Sequence, residues 1–137
     1  MKMKIQQLLT KEFDQAYSKL KDEETISGEL KFTFSRISKS IKSELTIYTE
    51  LRDKCIDECS FLDEEGKKVI ETVTLPNGKQ VQNVKIKDDR VDYLNLTLKE
   101  LALVEIEIPE ILFSSLGETL QKKLTSKDLD YLEFITQ

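Results

Sequence analysis

"LALVEIEIPEI", residues 101–111, alternates apolar and acidic side chains and then stops at a proline. Strand side chains point to opposite faces with period two. Val104, Ile106 and Ile108 are therefore expected on one buried face, with Glu105 and Glu107 on the wet one. Pro109 has no N–H to give a ladder, so pairing is expected to end there or to lie at a sheet edge. The only other short strand with that period and the opposite charge is "MKMKI" at residues 1–5. Pairing the two puts Met3 and Ile5 in the core and sets Lys2 and Lys4 beside the glutamates. Burial of one such side chain is worth roughly 1.5–3 kcal/mol, against about 0.2–1 kcal/mol for a cross-strand charge pair. Apolar burial thus drives the pairing, and charge helps choose partner and register. The expectation is that the N-terminal strand zips onto 104–108.

Outward from that strand, the 137 residues suit a single domain, 1–137, able to bury a core without staples. Charged residues are 34% and hydrophobic ones 39%, the composition of a folded globular chain. A strand is expected over 2–7. Thr10 then offers an N-cap hydroxyl ahead of Phe13, Ala16, Tyr17 and Leu20, giving a helix over 10–23. Ser27 can cap a second helix over 28–62. In it Leu30, Phe34, Ile37, Ile41, Leu45, Tyr48, Cys55 and Cys59 keep a three-and-four spacing that no Pro or Gly interrupts between 29 and 62. At 1.5 Å per residue such a helix is roughly 45–50 Å long. Its far end is expected to project or to pack on another chain.

"DEEG" (63–66) reads as the stop signal, with Gly66 suited to a left-handed cap or turn. A β-hairpin is expected over 68–86. Its Pro76-Asn77-Gly78 turn is either type I′ or type I with a Gly bulge, and a bulge near Asn83 is expected because Val84 and Ile86 fall out of phase with Val81. A helix over 88–101 rests on Val91, Leu94, Leu98 and Leu101, and the strand 103–108 follows. Leu116, Leu120 and Leu124 keep helical spacing around an interrupting Gly117, which leaves that stretch ambiguous. Thr125 three before Asp128 resembles a capping box, opening a helix over 125–136 anchored by Leu129, Leu132 and Ile135. The order indicates α+β: a long helical hairpin on a small, mainly antiparallel sheet, with short C-terminal helices.

Chemistry-bearing signals are few. There is no histidine, so the commonest general base is missing, and the four glycines fall in no P-loop, Rossmann or nucleophile-elbow pattern. "DEEG" lacks the ligand spacing of a calcium loop. Cys55 and Cys59, one helical turn apart, have poor disulfide geometry and too few companions for a metal site; two free thiols near the core are expected. No catalytic residue, metal or cofactor is assigned.

The net charge of −5 is concentrated in residues 101–137, with three basic and seven acidic side chains. That balance argues against general nucleic-acid binding and permits a basic protein partner. Lys31, Arg36, Lys39 and Lys42 form the one locally basic run, read first as a solvated helix face and second as a phosphate contact. Phe32 lies off the main apolar stripe and is a candidate anchor for a partner. The candidate binding surface is Phe32, Arg36, Lys39, Lys42, Glu105 and Glu107. No apolar run approaches a membrane span, and "MKMKIQQLLTKEF" has no leader-like apolar core. A cytoplasmic protein without membrane contact, binding a protein partner and self-associating through the long helix, is therefore expected.

The layout "MKMKI", a helix, a long helix ending in "DEEGKKV", then "VEIEIPEI" and "LTSKDLDYLEFI" resembles a family of phage and prophage proteins from Gram-positive bacteria, domain of unknown function 1617. The resemblance spans most of the chain and is firmest in those last two motifs. It implies a phage context, hence the cytoplasm of a bacterial host cell, and no catalytic residues. The favoured expectation is an accessory protein that binds a host protein stoichiometrically and inhibits it, a defence factor for example. A virion, tail or assembly component is the alternative, and a small-ligand binder or enzyme the third class.

Overall fold

A computed structural model describes residues 2–24, 26–111 and 113–132. The elements are β1 (Lys2–Lys4), α1 (Ile5–Leu8), α2 (Lys11–Lys21), α3 (Gly28–Cys59), β2 (Ile70–Thr74), β3 (Gln80–Val84), α4 (Val91–Ala102), β4 (Glu105–Glu107), α5 (Glu118–Lys123) and α6 (Ser126–Leu132). Short 3-10 turns occupy Asp88–Arg90 and Phe113–Leu116. The α+β class stands, with two separate two-stranded antiparallel sheets in place of a single one. Where length alone suggests one domain, the chain forms two compact units: Met1–Tyr48 with Ala102–Gln137, and Thr49–Leu101. Helix α3 belongs to both.

In the first unit β1 and β4 pair as the alternation implies. Lys2 lies opposite Glu107, Met3 opposite Ile106 and Lys4 opposite Glu105. The strand expected over 2–7 nevertheless ends at Lys4. Strand alternation would place Leu8 on the face away from Met3 and Ile5. A helical turn instead brings Ile5 and Leu8, three apart, to the same side, and both are buried. Gln7 Oε1 accepts the Lys4 N–H at 2.7 Å, and the Ile5 N–H goes to the Val104 carbonyl at 3.0 Å. Val104 is a second departure. The covered face reaches Ile106 and Ile108 but leaves Val104 48% exposed, because the three-residue ladder ends at Glu105.

The helices start where their caps dictate. Thr10 Oγ1 accepts the Phe13 N–H at 3.2 Å, and Ser27 Oγ accepts the Leu30 N–H at 3.2 Å. Thr125 and Asp128 exchange the two hydrogen bonds of a capping box, at 3.0 and 3.1 Å. The close of the helix expected over 125–136, with its Ile135 anchor, lies outside the described residues. Leu116, Leu120 and Leu124 are all buried although Gly117 breaks the helix between the first two: a 3-10 turn and then α5 carry the same stripe. They join Met3, Phe13, Tyr17, Leu20, Phe34, Ile37, Ile106 and Leu132 in one core. Inside it the Tyr17 ring stacks on Phe13 at 5.8 Å and meets Phe34 edge-on at 6.4 Å. Its hydroxyl donates to the Phe34 carbonyl at 3.1 Å and shares a 2.8 Å bond with Ser38 Oγ. Burial pushes the Tyr17 phenol above its ordinary range, and the Ser38 bond offsets part of that.

The second unit corrects three expectations. Helix α3 ends at Cys59, not at 62, because the chain turns there into extended pairing: Ser60 bridges Ile86, and the Lys87 N–H takes the Cys59 carbonyl at 2.9 Å. "DEEG" is not a helix stop but a hairpin turn. The Asp63 N–H donates to the Lys67 carbonyl (2.8 Å) and the Gly66 N–H to the Asp63 carbonyl (3.0 Å), with Gly66 at φ +80°. The turn between β2 and β3 repeats the pattern with Leu75, Gly78 (φ +83°) and Lys79. Among the described residues no non-glycine has positive φ, so Asn77 excludes type I′ and the turn is type I with a Gly bulge. No bulge occurs at Asn83: Ile70 pairs Val84, Glu71 pairs Asn83 and Val73 pairs Val81 in unbroken register. Val81 and Val84 simply face opposite sides.

Three extended segments meet at a closed ring of backbone hydrogen bonds. The Phe61 N–H donates to the Lys85 carbonyl (2.8 Å), the Lys85 N–H to the Val69 carbonyl (2.7 Å), and the Val69 N–H to the Phe61 carbonyl (3.0 Å). The far half of α3 is accordingly not a bare arm. Cys55 and Cys59 are buried there against Leu94 of α4, flanked by Ile56, Ile86 and Leu98, and Lys68 pairs with Asp57. This core is thin, and an isolated two-stranded hairpin is marginal by itself; the ring and the α4 contact hold it.

Candidate functional site

The buried stripe of α3 sets what its other face presents. Leu30, Phe34 and Ile37 are buried in the first unit, Cys55 and Cys59 in the second. At 100° per residue Leu30, Phe34 and Ile37 cluster on one side, and Phe32, Arg36, Lys39 and Ser43 of the same unit fall on the opposite side. Phe32 is 60% exposed there, and the Arg36 guanidinium sits 4.6 Å above its ring. Phe32, Arg36 and Lys39 thus form one patch. Lys42 does not join it: ten residues beyond Phe32, it is rotated about 80° away. Glu105 and Glu107 are on a different element, β4, opposite Lys4 and Lys2.

The sequence reading missed two apolar residues of this helix. Ile47 and Leu51 are 53% and 47% exposed; Leu51 lies one turn before the buried Cys55, at the edge of the second unit's stripe, whereas Ile47, ten after Ile37, is rotated about 80° from the first unit's stripe. That phase is visible in the sequence once the stripe is drawn strictly. Within the second unit two further exposed rings lie under cations: Lys85 Nζ is 4.8 Å from the Phe61 ring, and Arg90 is 5.5 Å from the Tyr93 ring. A groove of about 430 Å³ beside Phe61 is lined by Lys85, Lys87, Asp88 and Asp89, a mixed-charge wall. Leu96 stands beside Tyr93 on the outer side of α4, three residues on.

The titratable groups whose environments shift them are structural. Burial pushes the Cys59 thiol up, and the neighbouring Cys55 adds to it. Both cysteines are free and buried. Among the described residues no three His, Cys, Asp or Glu side chains gather as metal ligands, and no helix is long and apolar enough to cross a membrane.

No protein-family model, curated protein or solved structure matches this chain.

Proposed function

We propose that the protein is a phage-encoded accessory factor that acts by stoichiometric binding to other proteins, with the outward face of α3 as its main contact element and a host defence protein as its target. The observation that carries this reading is Phe32, a large ring kept mostly in solvent beneath Arg36. Exposed aromatic and arginine side chains are the residue types that dominate binding energy when a partner covers them. Ile47 is a further exposed apolar side chain of α3 in the same unit. The phage context, and with it a bacterial cytoplasm, rests on the resemblance carried by "VEIEIPEI" and "LTSKDLDYLEFI".

The test is a tagged pull-down from infected and uninfected cells, run with the wild-type chain and with Phe32→Ser. A host protein recovered at near-equal stoichiometry, and lost with Phe32→Ser, supports the reading. Recovery of phage morphogenesis proteins alone overturns it and makes the protein an assembly component.

A further inference from the structure

Strand β2, within the second unit, has an open edge. The Leu75 N–H donates to the Lys79 carbonyl at 2.7 Å, and the Lys85 N–H to the Val69 carbonyl at 2.7 Å. Both bonds tie odd-numbered residues at the two ends of β2 to the β3 side. Main-chain groups alternate between the two edges of a strand, so Ile70, Thr72 and Thr74 turn their N–H and C=O groups outward. The segment 61–63 does not cover that edge. The N–H and C=O of Val69 share one edge and reach Phe61 and Lys85, which places 61–63 on the β3 side. Among the described residues no main-chain bond outside the β2–β3 ladder reaches Ile70, Thr72 or Thr74. Folded proteins blunt such edges with lysine, proline or a bulge. Between Ile70 and Thr74 there is none of these: "IETVT" carries one charge, Glu71, and its register with β3 is unbroken. Its residues are strand formers, and Ile70 is 54% exposed.

We infer that β2 pairs antiparallel with β2 of a second copy, about a two-fold axis at Thr72, to give a four-stranded sheet in the order β3-β2-β2-β3. This register uses every outward group of the strand. Thr72 faces Thr72 of the other copy, and Ile70 of each faces Thr74 of the other, as an isologous contact requires. Each of these pairs exchanges two hydrogen bonds, because both members point their main-chain groups across the seam. Threonine opposite threonine is a favourable cross-strand pair. Glu71 lies opposite Val73 and Val69 opposite Leu75, so no like charges meet and the exposed Leu75 gains an apolar neighbour. Pro76 stands at the next outward position after Thr74, where its missing N–H ends the ladder. Strand β3 does not suit the role. Pairing all five of its residues with a second β3 sets Lys79 directly opposite Lys85, twice over. Joining β2 of one copy to β3 of the next would leave an edge free at each end and build a filament. The β2 pairing uses no residue of α3.

The experiment is sedimentation equilibrium on the full chain, with Thr72→Pro, Thr72→Lys and Gln82→Pro, each checked by circular dichroism for an unchanged fold. The Thr72 N–H faces outward, so proline there spares the bonds between β2 and β3 and removes those across the seam. Thr72→Lys sets two like charges on the axis, and Gln82→Pro makes the same backbone change on the outward edge of β3. A five-residue ladder is a small contact, and the wild type is expected to dimerise with a Kd of about 10–100 µM. Both Thr72 variants should weaken the dimer about tenfold or more, and Gln82→Pro should leave it within about threefold. Should Thr72→Pro fail to fold, Thr72→Lys decides. A wild type that stays monomeric up to about 300 µM overturns the pairing. So does a dimer indifferent to Thr72→Lys, one lost with Gln82→Pro, or an assembly that grows past two copies.

Discussion

Lys19 Nζ lies 2.6 Å from Asp128 Oδ2, joining α2 to the first turn of α6. Burial by itself would raise the Asp128 carboxyl. Hydrogen bonds from Lys19 and from the Thr125 backbone, with the Lys19 charge, outweigh it and hold the carboxyl below its usual range. A carboxyl depressed on folding contributes stability that is present above its unfolded value, near 3.9, and is lost as pH falls through the folded value. Asp128→Asn should therefore lower stability at neutral pH by about 1–2 kcal/mol. It should also flatten the acid limb of melting temperature against pH. Thermal unfolding of both proteins from pH 2 to 7 measures this.

The β1–β4 pair should behave as an apolar zipper trimmed by charge. Met3 and Ile106 face each other and are 2% and 7% exposed. Ile106→Ala should cost about 2–4 kcal/mol. Lys4→Glu, which sets like charges opposite Glu105, should cost under about 1 kcal/mol. Urea unfolding of the two variants gives the ratio; equal losses would make charge, not burial, the organising term.

Gly66 and Gly78 hold φ near +80°, and a methyl group on either would meet nothing within 4 Å. The penalty of Gly78→Ala is thus backbone strain alone, about 1–2 kcal/mol. Gly28 has the same open surroundings without positive φ, at the start of α3. Gly28→Ala should instead stabilise by about 0.4–1 kcal/mol. Denaturant midpoints of opposite sign for the two changes are the expected result.

Cys55 and Cys59 are 6% and 1% exposed, so a bulky reagent cannot reach them, and burial further disfavours the Cys59 thiolate. Ellman's reagent should label neither in the native protein within minutes and both at once in denaturant. Prompt labelling of the native chain would mean that the contact of α3 with Leu94 opens readily.

The first unit was largely legible in the sequence; in the second the β2–β3 hairpin and α4 were legible, but the pairing that ties them to the end of α3 was not. Alternation, opposite charge and Pro109 specify the β1–β4 pair because each is a local signal with one compatible partner. Thr10, Ser27 and Thr125 mark helix starts because capping needs a hydroxyl at a fixed offset. The second unit depends on backbone groups. The ring joining Phe61, Val69 and Lys85 uses main-chain atoms that every residue has, so no side-chain pattern announces it. "DEEG" misleads because a glycine at positive φ serves a helix cap and a hairpin bulge equally well. On α3 the exposed Phe32 and Ile47 were readable from their phase, whereas Leu51, one turn before the buried Cys55, was not. Lys42 was grouped with Arg36 by nearness in sequence, which helical rotation undoes.

The most direct test of the central claim is titration calorimetry of the purified chain against the host protein that the pull-down recovers, with the wild type and with Phe32→Ser. The account predicts one-to-one binding that Phe32→Ser weakens about tenfold or more. Equal affinity for the two chains would contradict it.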